Sequence, residues 1–311
     1  MEQHFLRQSV IRVRAIWLLV VLVGLGSNAG AQVILEGREA LSFNRPESWA
    51  MKYFASLTLP TGFGAPDATD PGSVDLHLEG GWVPELSEQQ RRVGFNGTKV
   101  ENLNRTSAFG RIGLTVGLPA GFSVGLGWVP SIEMDGVEAN LLALSVGRSI
   151  WERDPWRLGL RLLGQIGTLE GDITCSRADV AGGSDPQLNP FGCEAPSSDQ
   201  VDIQSLGAEL SAAVRIGLDD NFELFGSLAL VSHDLEFQVN ARYSGIADRT
   251  LLLTDGTTTA LTAGLNYFPA ERWRVGGEIF YSPLDVTRPP AGSSQNDALW
   301  NLRVIGSYRI R

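Results

Sequence analysis

Lysine is almost missing from this chain: only Lys52 and Lys99 occur among 311 residues. Basic residues number 25 against 35 acidic ones, for a formal net charge of −10. A nucleic-acid partner would need a basic patch, so that class is excluded. Histidine is as scarce, and the only cysteines are Cys175 and Cys193. No transition-metal constellation can be assembled from so few ligands, and no metal or cofactor is expected. Asp67, Asp70 and Asp75 lack the regular ligand spacing of a dedicated calcium site and read as solvated turn carboxylates. Beyond residue 31 no run comes near the roughly 18 consecutive apolar residues of a membrane helix, and no long 3.6-residue period appears. A helical membrane protein is therefore excluded, and the Gly- and Trp-rich composition points to strands.

Residues 1–31 belong to export. Arg7, Arg12 and Arg14 form a basic start, and residues 15–26 an apolar core. That core is shorter than the roughly 20 residues a spanning helix needs. Ala29, Gly30 and Ala31 follow with small-x-small cleavage spacing, so a signal peptide ending near Ala31 is expected. Cys175 and Cys193 share one polar segment, which in an exported chain predicts a disulfide. Such a closure contributes about 3 kcal/mol in the chain-entropy model.

The rest of the chain alternates with period two. In residues 109–128, Ile112, Leu114, Val116 and Leu118 share one parity, and after a short turn so do Phe122, Val124, Leu126 and Trp128. The opposite parity holds Arg111 and a series of Gly, Ser and Thr. Eleven such segments follow one another, beginning with residues 51–59 (Met51, Tyr53, Ala55, Leu57, Leu59) and ending with 300–310. Their connections alternate in length. Short links fall at Pro119–Gly121, 152–155, 219–221 and 269–272; long polar ones at 84–107, 172–200, 240–250 and 282–297, with a smaller one at 130–136. Short turns on one side and long loops on the other describe a transmembrane β-barrel.

Aromatic residues mark both interfaces. Phe122, Trp156, Phe222 and Trp273 begin strands just after short turns, while Trp82, Trp128, Tyr281 and Trp300 sit at the opposite ends of strands, beside long loops. The expected fold is all-β, an antiparallel up-and-down transmembrane barrel over residues 49–311. Parity of the chain ends makes about twelve strands the leading count, with ten as the fallback. Residues 32–48 supply the missing strand or a luminal segment.

Charges facing lipid at the bilayer midplane would cost about 2–4 kcal/mol for Arg. The inner face is therefore expected to carry Asp75, His77, Glu79, Arg111, Arg148, Arg157, Arg161, Glu209, Arg215, Glu223, Arg274, Glu278, Arg303 and Arg309. Two readings of these groups stay open. They line a water-filled path that selects solutes, or they pair into a network that fills and stabilises a narrow barrel. The Gly, Ser, Ala and Thr between them favour some open lumen.

Catalytic patterns are weak. Ser232, His233 and Asp234 are adjacent, so on a strand they point to alternate faces and cannot form a triad. His77 and His233 fall at different heights of the wall. No enzymatic activity is expected.

The alternating C-terminal segment Leu302, Val304, Gly306, Tyr308, Ile310 resembles the assembly signal of Gram-negative outer-membrane β-barrel proteins, departing from it in the final Arg311. The resemblance extends over the mature chain. It implies an outer-membrane location, lipid contact and insertion by barrel-assembly machinery. Ser48-Trp49-Ala50-Met51-Lys52-Tyr53, running into Leu57-Thr58-Leu59-Pro60-Thr61-Gly62, is similar to the early part of FadL-like hydrophobic-substrate transporters. The chain is shorter than such transporters, and no N-terminal plug is expected. The function that follows is a passive channel or transporter for small solutes, hydrophobic ones included. The alternative is a non-conducting structural or surface-interaction barrel that uses its extracellular loops; a barrel enzyme comes third.

Overall fold

The computed structural model of the protein describes residues 33–66, 70–133, 136–217, 221–290 and 292–310. The expected signal peptide, Asp67 and Arg311 lie outside them. Ten strands form the wall in chain order: β1 Val74–Trp82, β2 Ala108–Leu118, β3 Phe122–Val129, β4 Val137–Arg153, β5 Trp156–Gly171, β6 Asp199–Ile216, β7 Phe222–Gln238, β8 Ile246–Ala270, β9 Trp273–Ser282 and β10 Leu299–Arg309. Each pairs antiparallel with the next. The last closes on the first, from Arg303 opposite Gly81 to Arg309 opposite Asp75. Closure satisfies the backbone from strand to strand, as a bilayer requires. The ring is the expected up-and-down barrel, with the fallback count of ten.

Alternation sorts the faces as expected. Leu162, Leu206 and Val304 remain 61%, 70% and 61% exposed on the outside, where hydrocarbon replaces water. The aromatic residues bracket this band. Trp273 packs on Tyr308 (ring centroids 4.8 Å apart) and Phe222 on Tyr267 (4.9 Å) at the end with short turns. Tyr281 meets Trp300 at 4.5 Å at the end with long loops. By the usual sidedness of these barrels, the first end is periplasmic and the second extracellular.

Two expected wall segments lie elsewhere. Residues 51–59 are not a strand; Pro46–Leu57 is an α-helix, α1. Pro46 occupies its first turn with Glu47 beside it, both favourable at a helix start. The run PESWAMKYFASL contains no β-branched residue. Its apparent alternation fails because Ala50 and Phe54 make the other parity apolar too, and Lys52 and Ser56 of that parity are buried with them, the pattern of a helix buried all round. The segment Val33–Ala40 is a strand, but outside the ring. It runs parallel to β8, Val33 opposite Ile246 through Ala40 opposite Leu253. Part of the expected 240–250 loop is likewise ladder: Ala241–Tyr243 pairs with β8 and, on its other edge, with Cys193–Ala195. Cys175 and Cys193 form the expected disulfide, with Cα atoms 5.6 Å apart.

Candidate functional site

The N-terminal chain threads the barrel from the extracellular end. Leu41 N donates to Leu253 O at 2.8 Å, and α1 then descends inside the ring. Its upper half is tied to the loops: Trp49 Nε1 donates to Asp297 O (3.0 Å), Lys52 Nζ to Asp285 O (2.8 Å) and Tyr53 OH to Pro84 O (3.1 Å). Trp49, Met51, Tyr53 and Leu57 pack with Leu141, Leu163, Ile203, Val231 and Leu235 of the wall into one buried apolar layer. The chain thus carries a plug, contrary to the expectation of none.

Beneath that layer lies a belt of charge. A helix C-terminus leaves its last carbonyls without partners and carries partial negative charge. Here two wall arginines supply both the donors and the charge. Arg303 donates to the carbonyls of Ser56 (3.2 Å), Leu57 (3.1 Å) and Leu59 (2.7 Å), and Arg111 donates to that of Thr58. Arg111 also pairs with Glu79 at 2.7 Å, and Arg303 lies 3.9 Å from Glu278. Arg157 pairs with Glu223 and Arg161 with Glu209. Each charge is desolvated, so each depends on its partner.

Below the helix the chain stays pinned. Thr61 Oγ1 donates to Glu278 (2.5 Å), Asn266 Nδ2 to Phe63 O (2.7 Å) and Arg161 to Gly64 O (3.2 Å). The small inner residues expected as open clearance have a different use here. A Cβ on Gly159 would lie 2.4 Å from the Pro66 ring, and one on Gly113 2.2 Å from His77 Nε2. The glycines make room for the plug and for polar side chains.

Of the residues expected inside, all but one face inward. Asp75 pairs with Arg309 at 2.8 Å, Arg274 donates to Ser307 Oγ at 3.2 Å, and Arg215 sits 5.6 Å over the Phe268 ring. Arg148 is the correction. It is exposed and opposite Phe122 and Leu160, both on the lipid face. It shares parity with Leu142, Leu144 and Val146, and its guanidinium lies 4.9 Å from the Phe122 ring centroid at the periplasmic girdle. At that height a long side chain reaches the headgroups. Asn266 is an inner polar residue that alternation alone did not single out, whereas Gln165 shares the inner parity of Arg157 and Arg161, as alternation places it. Asn266 also binds Glu223 at 3.1 Å, and Gln165 Nε2 donates to Thr58 Oγ1 at 2.9 Å.

Two cavities flank the plug. The extracellular one, about 350 Å³, lies between α1, the loops and the wall and is mostly apolar; Met51, Phe54, Val93, Leu103, Ile173 and Phe237 line it. The periplasmic one, about 590 Å³, lies below the charged belt and is rich in arginine.

The adjacent Ser232, His233 and Asp234 do not converge. His233 is buried, whereas Ser232 and Asp234 are exposed on the other face. Strand register instead brings Ser205 Oγ to 2.8 Å from His233 Nδ1, with Thr258 Oγ1 at 2.7 Å from Nε2. Both ring nitrogens are thus held by hydroxyls, and no carboxylate orients the imidazole. Among the described residues no cluster of His, Cys, Asp and Glu could hold a metal ion.

No family model and no curated protein matches the sequence. Solved structures share the fold class. The outer membrane protease OmpT of Escherichia coli is 11% identical, covering 77% of this chain and 94% of its own, with a TM-score of 0.36. The toluene transporter TodX of Pseudomonas putida is 14% identical over 90% of this chain and 78% of its own, at 0.32. Ail of Yersinia pestis is 11% identical over 78% and 100%, at 0.30. Likeness at this level carries no residue or activity across. The protein has the fold of Gram-negative outer-membrane β-barrel proteins, seen in its own closed ring, apolar outer band and two girdles.

Proposed function

We propose that the barrel is a gated outer-membrane transporter for small, mainly apolar solutes and not a permanently open pore. One observation carries this reading: an apolar cavity faces the outside and a polar one the periplasm, with α1 and the segment below it between them. A solute held against Met51 and Phe54 can advance only if the plug shifts. The belt pairs are the plug's anchorage. The reading involves no catalytic step, and it includes signal cleavage near Ala31 and insertion by assembly machinery.

The test is influx of the fluorescent apolar probe 1-N-phenylnaphthylamine into cells whose outer membrane otherwise excludes it. Producing the barrel should raise the influx rate in a saturable manner. Ala50→Trp, which fills the outer cavity, should return it to background while the barrel still folds. Influx unchanged by that substitution contradicts the reading. The second reading, a non-conducting barrel whose loops meet a partner, draws on the pairing of the belt charges. It predicts no influx under any condition.

A further inference from the structure

The extracellular cavity is apolar in body, but its charged lining is mostly of one sign. Glu39, Glu47, Glu101 and Asp248 contribute carboxylates to it, and Arg45 the one guanidinium. Arg45 is shared: it donates to Glu39 at 2.6 Å and to the two oxygens of Glu47 at 3.0 and 3.2 Å. Glu101 is held by Lys99, which lies outside the lining. Among the described residues no cation pairs with Asp248. Its oxygens accept instead from Tyr243 OH (2.7 Å) and from the Thr250 amide (2.9 Å) and hydroxyl (2.7 Å). With the Glu101–Lys99 pair set aside, three carboxylates answer to one guanidinium, and Glu47 and Asp248 are buried.

Aromatic rings stand among these carboxylates. Phe95 lies edge-on to Tyr243, with centroids 5.9 Å apart, and Tyr243 is the donor to Asp248. Asn96, next to Phe95, donates its amide to Glu47 at 2.5 Å. Phe54 and Met51 line the apolar part. Carboxylates in excess inside low-dielectric walls set a negative potential that little water screens. An anionic solute entering here would lose its hydration and meet like charge. An organic cation meets the opposite charge, and ring faces attract it as well.

We infer that the solute class of this cavity is an amphiphilic organic cation, an ammonium head on an apolar body. The head sits beside Asp248, Glu39 and the Phe95–Tyr243 pair, and the body against Met51 and Phe54. The inference rests on the transport reading of the same cavity and narrows its solute.

Equilibrium dialysis of the folded barrel in dodecyl maltoside, against matching protein-free micelles, tests it. The probes are benzyltrimethylammonium, its uncharged carbon isostere neopentylbenzene, and phenylacetate. Heat-dependent gel mobility shows that each variant is folded. Benzyltrimethylammonium should saturate and bind roughly tenfold tighter than phenylacetate or better, and Ala50→Trp should abolish its binding. Glu39→Gln/Asp248→Asn leaves Glu47 alone against Arg45. There the cation should bind roughly tenfold more weakly, with neopentylbenzene changed by no more than about twofold. Glu36→Gln, on the same strand but outside the lining, should change neither. Cation binding that phenylacetate equals, that survives Ala50→Trp, or that the double variant leaves unmoved overturns the inference. Saturation by neopentylbenzene alone also overturns it, while the apolar site and the transport reading stand. Saturation by no probe overturns both.

Discussion

Replacing Arg303 by Met removes the strongest tie between the wall and the plug. The side chain is fully buried and donates three hydrogen bonds to the end of α1, at 2.7, 3.1 and 3.2 Å. Its guanidinium also lies 4.0 Å from the Phe280 ring centroid and opposite Glu278. Bonds from a charged donor contribute about 1.5–3 kcal/mol each. Much of that sum is offset by returning the guanidinium's desolvation cost. Orphaning a buried partner costs about 3–5 kcal/mol, and the loss should fall in that range. At about 1.4 kcal/mol per tenfold change, transient release of α1 becomes roughly 10² to 4 × 10³-fold more frequent. The wall, held by its own ladders, should not feel it. Hydrogen–deuterium exchange resolves the two: α1 amides should exchange faster by that factor while those of β5, β6 and β7 stay slow. Adding Glu278→Gln should recover part of the loss by removing the orphaned carboxylate. Unchanged α1 exchange, or equal acceleration in the wall, would refute the reasoning.

Other consequences are accessible to similar measurements. Breaking the disulfide with Cys175→Ser/Cys193→Ser should loosen its extracellular loop by about 3 kcal/mol; limited proteolysis should cut there first, with heat-dependent gel mobility preserved. Burial pushes the Glu101 carboxyl up to about 7, against the pull of the Lys99 ammonium. The folded loop then binds this proton more tightly than the unfolded chain does, so its stability is greatest below the ordinary carboxylate range and declines as pH rises through about 7. Exchange at Glu101 N and Asn102 N, bonded to Arg91 O and Ile173 O, should quicken across that window, and Glu101→Gln should flatten the profile. Arg148→Leu should shift reversible folding into bilayers by no more than about 0.5 kcal/mol. Leu144→Arg, nearer the midplane on the same face, should cost about 2–4 kcal/mol; equal effects would contradict the placement of Arg148.

The wall was legible because lipid imposes one rule on one face of every strand. Leu206, Leu210 and Leu230 on the outside, and Trp156 and Trp300 at the rims, follow from that rule with no knowledge of neighbours. The plug was not legible for the opposite reason. Trp49, Met51, Tyr53 and Phe54 meet protein or cavity on several sides, so no periodicity survives to show a helix. The signals that remain are Pro46 at a helix start and the lack of Val, Ile or Thr from Pro46 to Leu57. The belt residues could be placed on the inner face by parity, but their pairing depends on barrel curvature and on where the plug ends. Glu278 meets Arg303 directly across a ladder, whereas Arg157 reaches Glu223 two strands away. Arg148 escaped because its charge outweighed its parity, although Leu142, Leu144 and Val146 already put that parity toward lipid.

Planar-bilayer recording of the wild-type protein in concentrated potassium chloride tests the central claim most directly. A barrel closed by its own N-terminal segment should insert without stable open steps, and Arg303→Met should show brief openings. Large, long-lived steps from the wild type would mean a continuous water path through the ring, and would contradict the account of α1 as the closure.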